Sequence, residues 1–151
     1  MEQPVTDRHL RDLAACARIL AARRGVAQGH HATAAAAEAF ASQAVAEAQE
    51  AIDDRAAAWR AQLAGGFDPI IGSALAADLI VATARMEKAV DDHAEAVATR
   101  CRAVQVWRAE DARCRIATTI VARADRSRTR RRDERSADAA TDRTTFLWSR
   151  S

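Results

Sequence analysis

The sequence predicts an all-α protein in which two long helices fold back on each other as an antiparallel coiled-coil hairpin. Three observations predict it. Forty of the 151 residues are Ala, the strongest helix former and a side chain that loses no rotamer freedom on ordering. The stretch MEKAVDDHAEAVATRCRAVQVWRAEDARCRIATTIV, residues 86–121, has neither Gly nor Pro. It repeats one stripe at spacings of three and four: Met86, Val90, His93, Val97, Arg100, Val104, Trp107, Asp111, Cys114, Thr118 and Val121. That is the period of a coiled-coil seam. Finally, AGGFDPIIGS, residues 64–73, holds the only Gly-Gly pair and the only Pro beyond Pro4, so it marks one reversal.

Taken in order, the chain should start its first helix at Thr6, whose hydroxyl can cap free amides while Val5 staples onto Leu10. Leu10, Leu13, Ala17 and Leu20 begin a stripe that resumes as Ala41, Val45, Ala48, Ile52, Ala56, Trp59 and Leu63. Gly25 and Gly29 each weaken a helix by roughly 1 kcal/mol against Ala. No turn chemistry follows them, and the helix is expected to continue to about residue 63. A loop over 64–72 leads to a second helix over about 73–140, with Asp68-Pro69 opening a short turn or Ser73 capping the long helix directly. At 1.5 Å per residue the first helix would span roughly 85 Å and the second roughly 95–105 Å. The fold-back sets Ile52 near Met86, Val45 near Val90, Leu20 near Ile116 and Leu10 near Arg126. The end of helix two then has no mate, and residues 141–151 are expected to fray. The whole, residues 1–151, reads as a single elongated helical hairpin.

Composition limits what such a chain can do. It has three Phe, three Trp and no Tyr, and an Ala seam removes little apolar area from water at about 25 cal/mol per Å². A partner is therefore expected. Net charge is only +2, with Lys88 the single lysine. Cys16, Cys101 and Cys114 form no CxxC pair, and their odd number argues against a secreted disulfide framework. The start, MEQPVTDRHLRDL, shows no basic stretch leading into an apolar run. No apolar stretch approaches the length that a membrane span needs. A reduced, soluble, cytoplasmic protein is the expectation.

Two places around the reversal resemble the FliJ/YscO family, the stalk proteins of flagellar and injectisome type III export ATPases. On the first helix, Ile52, Asp54, Trp59 and Arg60 stand like the family's aliphatic, Asp, aromatic and Arg. On the second, Met86-Glu87-Lys88-Ala89-Val90 followed by His93 resembles Leu-Glu-Lys-Ala-Ile…His, and Trp107-Arg108 resembles Trp-Arg-Glu, with Ala109 before Glu110. The chain departs from the pattern at Arg55, where an aromatic is frequent, at Ala48, where a polar amide is, and at Ala82, where Phe is. The divergence leans toward the injectisome branch.

The resemblance implies a non-enzymatic central stalk and adaptor. Such a stalk couples a hexameric secretion ATPase to the cytoplasmic domain of an export gate and handles export chaperones. It would be cytoplasmic, peripheral to an inner-membrane secretion apparatus, and not inserted in the membrane itself. It implies gate contacts at Ile52, Trp59, Met86, Ala89 and His93. Contact with the ATPase would fall to Arg123, Arg126, Arg130, Arg131, Arg132 and Arg135, where charge complementarity gives orientation and on-rate.

Other readings come from the residues alone. Seven Arg against Asp125, Asp133 and Glu134 give residues 123–135 a net +4, which suits nucleic-acid phosphates or merely a solvated face. No aromatic interleaves these arginines, as stacking on single strands would need. A self-associating coiled-coil scaffold is the other alternative. Chemistry is not expected, nor a cofactor, metal or small-molecule substrate. Asp53-Asp54 and Asp91-Asp92 sit on outer faces without the concave site that general acid–base work needs. His93 lacks neighbours spaced as metal ligands and reads as a seam residue fixing register. His30 and His31 point apart on a helix, and GGFDPIIG lacks the spacing and Lys of a phosphate loop.

Overall fold

The structure, a computed structural model, describes residues 7–148. It contains two α-helices, α1 (Asp7–Gly65) and α2 (Pro69–Trp148), which pack against each other; no strand occurs among the described residues. The all-α fold expected from the sequence is what forms. The Thr6 cap and Val5 staple lie outside the described residues. Helix α1 passes through Gly25 and Gly29 unbroken, and a Cβ at either would meet nothing within 4 Å.

The reversal is tighter than the 64–72 loop expected, since only residues 66–68 lie outside the helices. Gly66 takes φ 104°, a left-handed conformation that ends α1 and that a side chain would strain. Asp68 then caps α2. Its Oδ1 accepts from the Ile70 amide at 2.8 Å, and its carbonyl accepts from the Gly72 amide at 2.8 Å. Pro69 fills the first helical position, where a missing N–H costs nothing. Helix α2 therefore begins at Pro69 and not at Ser73, because Asp68 does the capping. At its other end α2 runs past residue 140 to Trp148, through much of the tail expected to fray. After Gly72 the chain has no further Gly or Pro. Thr141 and Thr144 return their hydroxyls to the carbonyls of Ala137 and Ala140 without breaking the helix.

The chain divides into two compact units, Ala27–Trp107, called here the loop unit, and Met1–Val26 with Arg108–Ser151, the terminal unit. In the loop unit the seam is small. Ala27, Ala34 and Ala41 are buried at every seventh residue of α1, and half-buried Ala48 continues the series. On α2 buried Ala82 is followed by half-buried Ala89, Ala96 and Ala103, again seven apart. Small residues at the contact favour the short end of the interaxial range. Two ion pairs cross between the helices in antiparallel order, Glu38–Arg100 at 2.8 Å at mid-helix and Arg55–Asp78 at 3.6 Å nearer the reversal.

The terminal unit closes differently. Half-buried Leu10, Leu13 and Leu20 of α1 and buried Cys114 and Ala124 of α2 supply its apolar part. Its most buried polar group is Glu110, which is 6% exposed. Glu110 Oε1 accepts from Arg23 at 3.0 Å and from Arg113 at 2.7 Å. Beside it Asp111 pairs with Arg115 at 2.8 Å and Arg24 at 3.6 Å, and Arg128 reaches Asp7 at 3.0 Å. Residues 132–144 of α2 are exposed throughout.

Two further sequence expectations need correction. The α2 stripe is centred one residue earlier at alternate positions, on Ala89, Glu110 and Ala117, while Val90 and Thr118 are exposed. Arg100 is also exposed, and so is Leu63 at the end of the α1 stripe. Alanine fits where the two backbones meet, and the larger Val90 is displaced to the flank. The second correction concerns hydropathy. Helix α2 is long and apolar enough, over one 18-residue window of mean hydropathy 1.4, to meet the length and composition of a membrane span.

Candidate functional site

The residues expected to meet an export gate all belong to the loop unit. Ile52 and Trp59 lie on α1, and Met86, Ala89 and His93 on α2; each is half-buried. Their spacings place them in or beside the seam, so each side chain is shared between the other helix and solvent. Trp59 turns toward the reversal and meets Phe67 edge-on, with ring centroids 6.3 Å apart and planes at 74°, a favoured aromatic geometry. Ala89 also lines a groove of about 350 Å³ with Ala44, Ala48, Ala51 and Ala82, edged by Glu47, Arg55 and Arg85. The groove owes its space to alanines at positions where longer side chains would fill it.

Arg55 is the organising cation at that edge. It donates from Nη1 to the Ala51 carbonyl at 2.8 Å and holds Asp78 at 3.6 Å. The second distance is an ion pair and not a hydrogen bond, and Arg55 Nε is buried without a hydrogen-bond partner. On the outer faces of this unit, the Asp92 carboxylate accepts from Lys88 and holds its ammonium above the ordinary value. The Glu38 carboxylate does the same for Arg100. Asp53, Asp54, Asp91 and Asp92 are exposed, and no group of three His, Cys, Asp or Glu poised to hold a metal ion occurs among the described residues.

The arginines expected to meet an ATPase all lie in the terminal unit. Arg123, Arg126, Arg130, Arg132 and Arg135 are exposed, while Arg131 is half-buried. Arg130 pairs with Glu134 one turn on, at 3.0 Å. Arg128, outside the expected set, is the one that crosses to α1. The cluster is thus a charged flank of one helix with one neutralising pair inside it, able to attract a polyanionic surface and to lose that attraction in salt.

Two arrangements escaped the sequence reading. His31 stacks on Trp107 with centroids 5.8 Å apart and planes at 18°. Trp107 packs as expected, but its Nε1 is buried without a hydrogen-bond partner. Buried Glu110 is the second. A charged residue gives no hydrophobic signal, and only its heptad position, four before Cys114, points inward. Cys114 is buried and Cys16 and Cys101 are exposed, as their places along the stripe require. No protein-family model, no curated protein and no solved structure matches this chain.

Proposed function

We propose that the protein is a stalk and adaptor of a type III secretion system, similar to the FliJ/YscO family, coupling a hexameric export ATPase to an export gate. The observation that carries the reading is two long antiparallel helices about a single three-residue reversal. Family-like residues stand on both arms: Ile52, Asp54, Trp59 and Arg60 on α1, Met86 to His93 on α2. In this reading the half-buried set Ile52, Trp59, Met86, Ala89 and His93 offers the gate the edges of a seam, and the exposed arginines of α2 face the ATPase. The chain then transmits force or position and performs no chemistry. The test is retention of the purified chain on the hexameric ATPase from the same secretion system, with the ATP hydrolysis rate measured with and without it. Retention with a changed rate, weakened by Arg130→Ala, Arg132→Ala and Arg135→Ala together, supports the reading. No retention and an unchanged rate remove it.

A second reading has its own observation. Five of the six expected arginines are exposed, which also suits duplex phosphates. A shift of generic duplex DNA that falls steeply with salt and is lost in the same triple variant favours that reading. A self-associating scaffold would instead sediment as a multimer.

A further inference from the structure

Residues 56–84, which close the hairpin, carry only three charges in 29 positions: Arg60, Asp68 and Asp78. Each is engaged inside the chain. Arg60 donates to the Ala56 carbonyl, Asp68 caps α2, and Asp78 pairs with Arg55. Around them a set of large apolar side chains is exposed: Leu63, Phe67, Ile70, Ile71, Ile80 and Val81. At 3.6 residues per turn Ile70, Ala74, Ala77 and Val81 form one stripe along α2, with Ile71 and Ile80 at its two edges. Together they cover an arc of roughly 180°, with exposed Ser73 toward its Ile80 edge and Asp78 toward its Ile71 edge. The opposite side of the same turns, Gly72, Leu75, Leu79 and Ala82, is the one that faces the seam. These turns are therefore apolar on both sides.

We infer that this outer face of α2 docks on the surface of a lipid bilayer, lying in the interface without crossing it. Three observations favour lipid over a protein partner. The arc is about twice the width of the stripe that one packed helix covers, and it is convex, which suits a fluid that wraps it. The apolar window of α2 is only 11% buried, so it is not the core helix of a globule, the usual source of such hydropathy. The stripe ends at Arg85, a cation whose long stem reaches headgroups, a pattern of interfacial helices. The depth such helices reach, about 5–10 Å, immerses Ile70 and Val81. It leaves Asp68 and the Arg55–Asp78 pair at headgroup level. Docking of this kind goes beyond the stalk reading and needs neither ATPase nor gate.

The test is flotation of the full chain with vesicles of phosphatidylcholine alone and with vesicles containing phosphatidylserine, at low and high salt. The expected result is flotation with the neutral vesicles that changes less than about twofold with salt, because area and not charge drives it. Ile70→Glu with Val81→Glu should lower vesicle affinity about tenfold or more, with helicity by circular dichroism unchanged, since both side chains point to solvent. Ile70→Trp should raise it. The inference is overturned by absence of flotation with neutral vesicles, or by flotation that requires phosphatidylserine and disappears in salt. It is equally overturned if the double variant binds as well as the parent, or if the parent sediments as a dimer that the double variant splits.

Discussion

The two units hold the same pair of helices together by different chemistry. The loop unit uses the smallest side chain that still adds an apolar group, at every seventh position of both helices, with larger residues such as Leu79 and Met86 beside it and others such as Ile80 and Val90 outside. The terminal unit places a carboxylate, Glu110, at the equivalent heptad position of α2 and closes around it with Arg23 and Arg113. Fit decides the first and charge the second. Overfilling should therefore harm the loop unit, while removing charge should relax the terminal one.

The largest expected effect breaks the fit. Ala82 is 3% exposed, the most buried side chain described. Ala82→Leu adds three heavy atoms that must either part the helices or turn out of the seam into the groove that Ala82 lines, and should destabilise the chain by about 1–3 kcal/mol. Urea denaturation followed by circular dichroism measures it. An unchanged or higher midpoint would mean that the groove takes up the new side chain, and that alanine fit does not hold the loop unit.

The same new residue in the terminal unit should act in the opposite sense. Glu110→Leu removes a buried carboxylate whose Oε2 has no hydrogen-bond partner. Its partners Arg23 and Arg113 are 59% and 58% exposed in their side chains and can turn to water. The net is expected to be a gain of about 1–2 kcal/mol, as when buried ion pairs give way to packed aliphatics. The loss should be one of specificity, seen as oligomers in sedimentation, since a polar seam residue disfavours wrong registers. If Glu110→Leu destabilises as strongly as Ala82→Leu, charge and fit are not separate devices.

That contrast also explains how much could be read beforehand. The antiparallel pair and its one reversal follow from Ala content, the three-and-four spacing and Gly65-Gly66, all local signals. Positions 86, 93, 107, 114 and 121 lie in the seam as expected because their side chains are large or strictly periodic. Val97, Val104 and Asp111 are half-buried as expected, but Val90 is not, because hydrophobicity ranks it above Ala89 whereas close packing ranks them by size. Glu110 was unreadable for a deeper reason: its burial depends on Arg23, which lies 87 residues away in sequence, and no local pattern carries that. Of the candidate partner residues, their position on the helices was legible. Their sharing between seam and solvent was not, since it depends on how near the second helix comes.

A smaller effect probes the reversal that makes the loop unit possible. Asp68→Ala removes the acceptor for the Ile70 amide at 2.8 Å and should cost about 1 kcal/mol, the usual loss for an N-cap carboxylate. Asp68→Asn should recover most of it, because the amide oxygen still accepts. Thermal melting of the two variants separates them. If both melt alike, the cap is not what sets the start of α2 at Pro69.

The smallest effect concerns pH, and it too should report on the loop unit alone. Asp92 raises the Lys88 ammonium above its ordinary value, first through its hydrogen bond and then through its charge. A group raised on folding stabilises most below its unfolded pKa, and that contribution disappears as pH climbs through the folded value. The loss should therefore appear only above about pH 10.4, the ordinary range for Lys. Arg100 is raised by Glu38 in the same sense, but a guanidinium keeps its proton throughout the accessible range, so the cross-helix pair persists when the Lys88 pair is gone. Melting temperatures from pH 8 to 11.5 should diverge between the parent and Lys88→Gln below that pH and converge above it. Because the Lys88 side chain is 75% exposed and screened, the gap should be smaller than for any substitution above. A gap that widens with pH would show that the ammonium is held by something other than Asp92.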